Sequence, residues 1–346
     1  MKFRRTFFSA VAAGAVCVAT AGTAFATTDV EATRLAGVDR YGTSEAIALD
    51  TFTSATVAVI ASGESYPDAL AASYLAGALD GPIVLTASAG LSQDARDTLQ
   101  ALDVRGAIVV GGTDAISETV VNQLVAAGLE VDRLGGNDRY ATARIIAESV
   151  PAEQIGSYEA GIGRTALLAS GQGFADALSG GPLAYASAFP MLLTPTASLS
   201  AQAAAAIDTL GIEQVLVLGG TAAISQATED QLVALGVEVL RLAGNDRTAT
   251  AAVIAETAIA ELAFTPTHVN LARGDDFADA LAGSANAGEE VAPIVLTLTP
   301  NQLGTATAQF LGSISDTLAT IHVYGGPNAV SDSTVNAAEV AAGRAP

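Results

Sequence analysis

The sequence predicts an α/β fold of three tandem modules, each an open, mostly parallel sheet covered by helices, and three observations carry that prediction. The chain repeats itself: RLAGVDRYGT from Arg34 returns as RLGGNDRYAT from Arg133 and as RLAGNDRTAT from Arg241. Further blocks follow each copy in fixed order. ASGESYPDAL from Ala61 returns at Ala169 and Ala272, GPIVLT from Gly81 at Phe189 and Ala292, and VVGGTDAIS from Val109 at Val217 and Val323. Finally, short apolar runs rich in β-branched residues alternate with longer stretches that carry Ala and Leu.

In the first unit the strands fall at Arg34 to Ala36, Val57 to Ile60, Ile83 to Leu85 and Ile108 to Val110. The stretches between them, bounded by Asp, Ser or Gly, read as helices. Each unit is then β-α-β-α-β-α-β-α, the pattern of a parallel sheet with helical crossovers, and the unbroken apolar strands fit burial on both faces. The expected organisation is an export signal over 1–26 and units over 27–132, 133–240 and 241–346. Without long linkers the units must bury their apolar faces against one another, which predicts a pseudo-threefold arrangement.

Half of the residues are hydrophobic, 5% are aromatic and tryptophan is absent, so the core is expected to consist of Ala, Val, Leu and Ile. Lys2, Arg4 and Arg5, an apolar stretch from Phe7 and Ala24-Phe25-Ala26 read as an export signal ending at Ala26. The pair Arg4-Arg5 also suits a twin-arginine signal. The single cysteine, Cys17, lies inside this segment, so no disulfide or cysteine-bound metal is expected in the mature protein. Beyond residue 26 no apolar run approaches the roughly 20 residues of a membrane-spanning helix. Removal of the signal leaves twelve basic residues, all arginine, against thirty-six acidic ones, a net charge of −24. Nucleic acid is excluded as a natural partner by that balance.

Every repeated block starts on a strand and runs into the loop that follows, so the recurring residues gather at the carboxyl ends of the strands, where open α/β sheets bind ligands. Six of the twelve arginines recur there: Arg34, Arg40, Arg133, Arg139, Arg241 and Arg247. A guanidinium fork grips carboxylate or phosphate with two hydrogen bonds. The same arginines can instead pair internally with Asp39, Asp138 or Asp246, or with Asp68, Asp176 or Asp279. Gly111-Gly112, Gly219-Gly220 and Gly325-Gly326 lie between a strand and a helix. They suit an anion held by backbone N–H groups, or a tight turn that needs glycine. Asp68, Asp176 and Asp279 stand at helix starts, as caps or as ligand contacts.

Catalytic motifs are missing from this pattern. No HExxH, nucleophile elbow or EF-hand spacing occurs, and no lysine follows the glycine pairs to make a P-loop. His268 and His322 lie in apolar strand-like runs of the third unit and read as core or edge residues. No metal or cofactor is expected.

Together the blocks RLAGxDRYxT, ASGxxFADAL, PIVLT and VxGGxxAIS resemble the cell wall binding repeat 2 family of Gram-positive bacteria, over essentially the whole mature chain. The resemblance implies three Rossmann- or toprim-like modules in a triangular assembly. It also implies a secreted, non-enzymatic protein of the cell wall or surface that attaches non-covalently to an anionic, teichoic-acid-like wall polymer, with other surface proteins as further partners and with S-layer-like kinship. Ser62 and Ser170 join the arginines, aspartates and glycines above as candidate polymer contacts. Thr248 replaces the tyrosine of Tyr41 and Tyr140, and Arg273 replaces the serine of Ser62 and Ser170, so the third unit is expected to differ in occupancy. A chain of charge −24 and an anionic polymer repel at long range. Beyond a Debye length of roughly 8–10 Å only the local arginines count, and divalent cations offer a second bridge. The alternatives are a wall hydrolase or a modulator of a wall amidase, and an extracellular binder of small anions.

Overall fold

In the computed structural model, which describes residues 30–159 and 161–344, the apolar runs form three four-stranded, all-parallel sheets. The expected export signal and Cys17 lie outside the described residues. The first sheet contains β2 (Val57–Ser62), β3 (Ile83–Thr86), β4 (Gly106–Val110) and β5 (Glu130–Leu134) in the order β3-β2-β4-β5. The second repeats it with β6 (Thr165–Ser170), β7 (Met191–Thr194), β8 (Gln214–Leu218) and β9 (Glu238–Leu242), ordered β7-β6-β8-β9. Its equivalent in the third is β11-β10-β12-β1, from β10 (His268–Arg273), β11 (Ile294–Thr297), β12 (Thr320–Tyr324) and β1 (Glu31–Leu35).

That last strand corrects the sequence reading, in which each unit held its own four strands. β1 opens the first sequence unit, yet it pairs with β12, with Glu31 opposite Thr320 and Leu35 opposite Tyr324. Likewise β5 and β9, the opening strands of units two and three, are edge strands of the preceding sheets. The reason lies in the connection. After its edge strand the chain crosses to the next module, where the following helix covers the sheet: α1 (Arg40–Thr51) packs on β3, α5 (Arg139–Ser149) on β7 and α9 (Arg247–Glu261) on β11. The RLxGxDR motif is thus a junction, with RL in one module and the arginine that begins the helix in the next. Exposed polar residues on alternate positions, Glu31 and Thr33 in β1 and Glu130 and Asp132 in β5, suit a solvated edge.

The remaining helices follow the strands of each module. They are α2 (Ala72–Leu79), α3 (Gln93–Ala101) and α4 (Glu118–Ala126), then α6 (Ala175–Ala186), α7 (Ala201–Leu210) and α8 (Gln226–Ala234), and finally α10 (Ala278–Glu289), α11 (Thr305–Ser313) and α12 (Asp332–Ala341). Ser92, Ser200 and Ser331 cap α3, α7 and α12 through their hydroxyls, as short polar side chains before a helix do.

The pseudo-threefold expectation is borne out by α2, α6 and α10, which meet at the centre through equivalent small residues. A β-carbon placed on Gly181 would lie 2.3 Å from Ser284 Oγ and 3.2 Å from Ser73 Oγ. A side chain at Gly181 would force Ser284 aside. One apolar cluster therefore runs through all three modules, joining Val59, Leu75, Leu167, Leu183, Leu281 and Leu296, while separate clusters fill the outer faces of the first and third sheets. Burial of shared apolar surface is what ties the modules into one body.

Candidate functional site

In each sheet the chain turns to opposite sides after the two central strands, which leaves a crevice between their carboxyl ends, the usual ligand position in such sheets. Three equivalent clefts occur there. The first, about 400 Å³, is lined by Asp68, Gly112, Thr113, Asp114, Gly136, Asp138 and Arg139 among others. The second, about 530 Å³, is lined by Ser170, Phe174, Asp176, Gly220, Asp246, Arg247 and Thr250 among others. In the third, about 350 Å³, stand Asp39, Arg40, Arg273, Asp276, Asp279 and Gly326. Because of the junction, each cleft takes its aspartate and glycine loop from one unit and its arginine from the next. Asp68 shares a cleft with Arg139, Asp176 with Arg247, and Asp279 with Arg40.

Two arginine sets, alike in sequence, have separate roles. Arg34, Arg133 and Arg241 line none of the three clefts. Their Nη1 atoms donate to the carbonyls of Gly325, Gly111 and Gly219 at 2.7, 2.8 and 2.7 Å. The same side chains pair with Asp332, Glu118 and Glu229 at the starts of α12, α4 and α8. They brace the edge strand to the neighbouring loop. Arg40, Arg139 and Arg247 line the clefts, and each donates through Nη1 to a carbonyl of the module its helix joins, that of Gly63, Gly171 or Gly274. Arg40 also lies 3.8 Å from Asp276. The expected partners Asp39, Asp138 and Asp246 are not paired to the arginines. They cap α1, α5 and α9, accepting from N–H groups such as Tyr41, Ala141 and Thr248 at 2.8, 2.8 and 2.9 Å.

The paired glycines divide their work. Gly111, Gly219 and Gly325 have φ of 98°, 101° and 96°, a region that side chains rarely adopt. Their N–H groups are spent on Leu134, Leu242 and Leu35 carbonyls at 2.8–2.9 Å. Gly112, Gly220 and Gly326 face the clefts, and their N–H groups find no acceptor among the described residues.

Capping does not account for Asp68, Asp176 and Asp279, whose carboxylates cap no helix. They press instead on the left-handed glycines: a β-carbon at Gly219 would lie 2.3 Å from Asp176 Oδ2, and one at Gly325 2.4 Å from Asp279 Oδ2. Burial raises both carboxyls, against the pull of Arg247 on Asp176. Asp279 is pushed up to about 6 by burial first and then by Asp276, with Arg273 and Arg40 opposing. Ser62 sits in a turn, where its hydroxyl accepts from the N–H groups of Glu64 and Ser65 at 3.2 Å, and it does not line its module's cleft. Ser170 makes a similar turn with Gln172 and does line its cleft. Arg273 is committed to Asp275 at 2.8 Å.

Sequence reasoning passed over two further sets. Thr43, Thr142 and Thr250, the last residue of each RLxGxDRYxT block, are buried and accept from Gly37, Gly136 and Gly244 N–H groups at 3.2, 3.0 and 3.1 Å. They fix the junction that forms a cleft wall. Tyr66, Phe174 and Phe277, each two residues before the repeated aspartate, meet on the pseudo-threefold axis with ring centroids 5.4–6.2 Å apart. The guanidinium carbons of Arg40 and Arg247 stand 5.7 and 5.8 Å from the centroids of Phe277 and Phe174, a cation–π arrangement. Both signals lay in repeated blocks.

The model of the family described as cell wall binding domain 2 (CWB2) matches residues 34–121, 133–229 and 241–335. The chain belongs to that family. It is 29% identical over 303 residues to "N-acetylmuramoyl-L-alanine amidase LytC" of Bacillus subtilis (strain 168), covering 88% of this chain and 57% of the relative. Its identity to "Amidase enhancer" of the same organism is 27% over 262 residues, 76% of this chain and 34% of that protein. The chain thus spans about a third to just over half of these curated relatives. Among solved structures, Cwp6 and Cwp8 from Clostridium difficile superpose with TM-scores of 0.79 and 0.78 at 23% identity, covering 92% of this chain and 49% and 52% of theirs. The CWB2 fold is shared with them, and the association of this chain with the cell wall follows from the family. No helix among the described residues is long and apolar enough to cross a membrane.

Proposed function

We propose that this chain is a secreted protein that holds non-covalently to an anionic, teichoic-acid-like polymer of the wall, each of its three clefts receiving one polymer segment. The observation that carries this reading is the threefold recurrence of one cleft containing an arginine, a glycine N–H without an acceptor and a half-buried aspartate. Guanidinium and N–H groups suit phosphate or carboxylate on the polymer. The aspartates suit its sugar hydroxyls as acceptors. Since aspartates outnumber arginines in every cleft, long-range attraction plays no part, and recognition rests on short-range hydrogen bonds within a screening length. The chain acts as a binding module in this reading, with other surface proteins as further partners.

Sedimentation with purified walls, before and after teichoic-type polymers are stripped, tests the proposal: binding should fall with the polymer, and binding that survives stripping would sink it. The triple variant Arg40→Lys, Arg139→Lys and Arg247→Lys keeps the charge while losing the fork. Wall binding should drop about tenfold or more, equivalent to about 1.4 kcal/mol. A modest loss of Tm should accompany it, because each arginine also donates to a neighbouring carbonyl. A folded triple variant with undiminished wall binding would remove these residues from the site. A second reading, modulation of a wall amidase, is favoured by the names of the two curated relatives. Zymography and an amidase stimulation assay on purified wall separate the two.

A further inference from the structure

His322 on β12 is unique to the third module, since its register equivalents, set by the β2–β4 and β6–β8 pairings, are Ile108 and Leu216. It shares a seam with Glu290, just past α10, and Asp50, in the last turn of α1, where the first and third modules meet. One ligand atom from each of the three lies within 4.8 Å of the other two. His322 Nδ1 is 3.2 Å from Glu290 Oε1, near enough for an ion pair. Even so, Nδ1 of His322 and Oε2 of Glu290 are buried with no hydrogen-bond partner among the described residues. Buried polar atoms rarely stay unsatisfied, and each such group asks for an explanation.

We propose that Asp50, Glu290 and His322 form a binding site for one divalent transition-metal ion, with zinc as the fitting ion, that fastens the first module to the third. Three atoms within 4.8 Å of one another share a centre no farther than about 2.8 Å from each, so side-chain shifts of less than ~1 Å bring all three to bond lengths of about 2.0–2.2 Å. An imidazole with two carboxylates suits zinc better than calcium or magnesium, which favour all-oxygen shells. Two carboxylates neutralise the ion's charge, and the exposure of Asp50 leaves a route of entry from solvent. His268, whose ring centroid is 6.0 Å from that of His322, stands beside the site with Nδ1 engaged by Thr267 Oγ1 at 3.0 Å. The ligands come from widely separated parts of the chain, so binding stabilises only the closed assembly.

The test is calorimetric titration of the purified full chain with zinc chloride after chelator treatment, beside Asp50→Asn and His322→Gln, with Tm measured with and without zinc. One ion should bind per chain, each substitution should weaken binding at least tenfold, and zinc should raise the Tm of the unsubstituted chain alone. Asp50 is exposed, so Asp50→Asn keeps the fold and the test stands even if His322→Gln destabilises the strand. The proposal is overturned if the unsubstituted chain shows no saturable zinc binding tighter than a Kd of about 10 µM, or if Asp50→Asn binds zinc as the unsubstituted chain does.

Discussion

The third module is built from both ends of the chain, whereas the strands of the first two come from continuous stretches. β1 pairs with β12, Glu31 opposite Thr320, although most of the described chain lies between them. The interior differs as well. Where the first sheet has Val59 and Val110 and the second Leu167 and Leu218, the third has Asn270 and Tyr324, both buried and joined by a hydrogen bond of 2.7 Å. The comparison teaches that one repeated sequence can occupy two mechanical positions. Two copies extend the assembly, and the third must also close it.

Removing β1 and α1 should break the symmetry most severely. β12 would lose one of its two parallel partners, β3 its covering helix, and the third cleft Asp39 and Arg40. The chain lacking residues 30–55 should unfold at a lower temperature than the full chain, and amides of β12 should lose hydrogen-exchange protection while those of β6 and β8 keep theirs. Equal protection in all three sheets would show that β12 does not depend on β1.

The next effect belongs to Asp279. Its carboxyl is raised to about 6 in the folded protein, chiefly by burial, above its ordinary value of 3.8. Between those values the native state binds more protons than the unfolded one, so this group's stabilising contribution is complete below about 4 and is lost as pH rises through 6. The span corresponds to about 3 kcal/mol at most. Asp279→Asn should therefore flatten the fall in stability between pH 4 and 6 and be neutral or stabilising at pH 7. Urea midpoints across that range measure it, and an unchanged pH profile would show that the carboxyl is not desolvated.

These differences bear on what the sequence made legible. Strands β2, β3 and β4 fell where the β-branched runs placed them, because a strand buried on both faces needs an unbroken apolar run. The three copies of RLxGxDR announced a site at the strand ends, and the cleft arginines, aspartates and second glycines stand there. What no single repeat reveals is which sheet an edge strand joins. RL looks the same whether it opens its own sheet or completes its neighbour's, and the choice is made by α1, α5 and α9 crossing between modules. That is also why Arg40, which shares its sequence unit with Asp68, lines the cleft of Asp279. Arg34 and Arg40 could not be told apart by type, since only the third dimension shows that one braces a loop and the other lines a cleft. His322 looked like a core residue because its two carboxylate neighbours come from remote segments.

The smallest effect tests the polar interior itself. The Tyr324 hydroxyl lies 2.7 Å from Asn270 Oδ1 and 3.2 Å from the Gly283 carbonyl, and it also meets Asn286 Oδ1. A phenol has one proton to give. Asn270 Nδ2 has no partner in this orientation, so turning that amide over lets it donate to the phenol, which then donates onward to Asn286. Tyr324→Phe should leave these amides short of a partner and cost about 1–3 kcal/mol. Asn270→Leu with Tyr324→Leu, which recreates the Leu167 and Leu218 pair of the second sheet, removes the phenol and the Asn270 amide together, leaves Asn286 Oδ1 alone without its donor, and should cost less than Tyr324→Phe, which strands both amides. Gly283 stands against the Tyr324 ring as Gly180 stands against Leu218, so the smaller side chain meets a surface already shaped for it in the second module. Denaturant unfolding of the single and double variants decides the matter: a double variant worse than the single one would mean that the third sheet depends on its polar interior for more than satisfied hydrogen bonds.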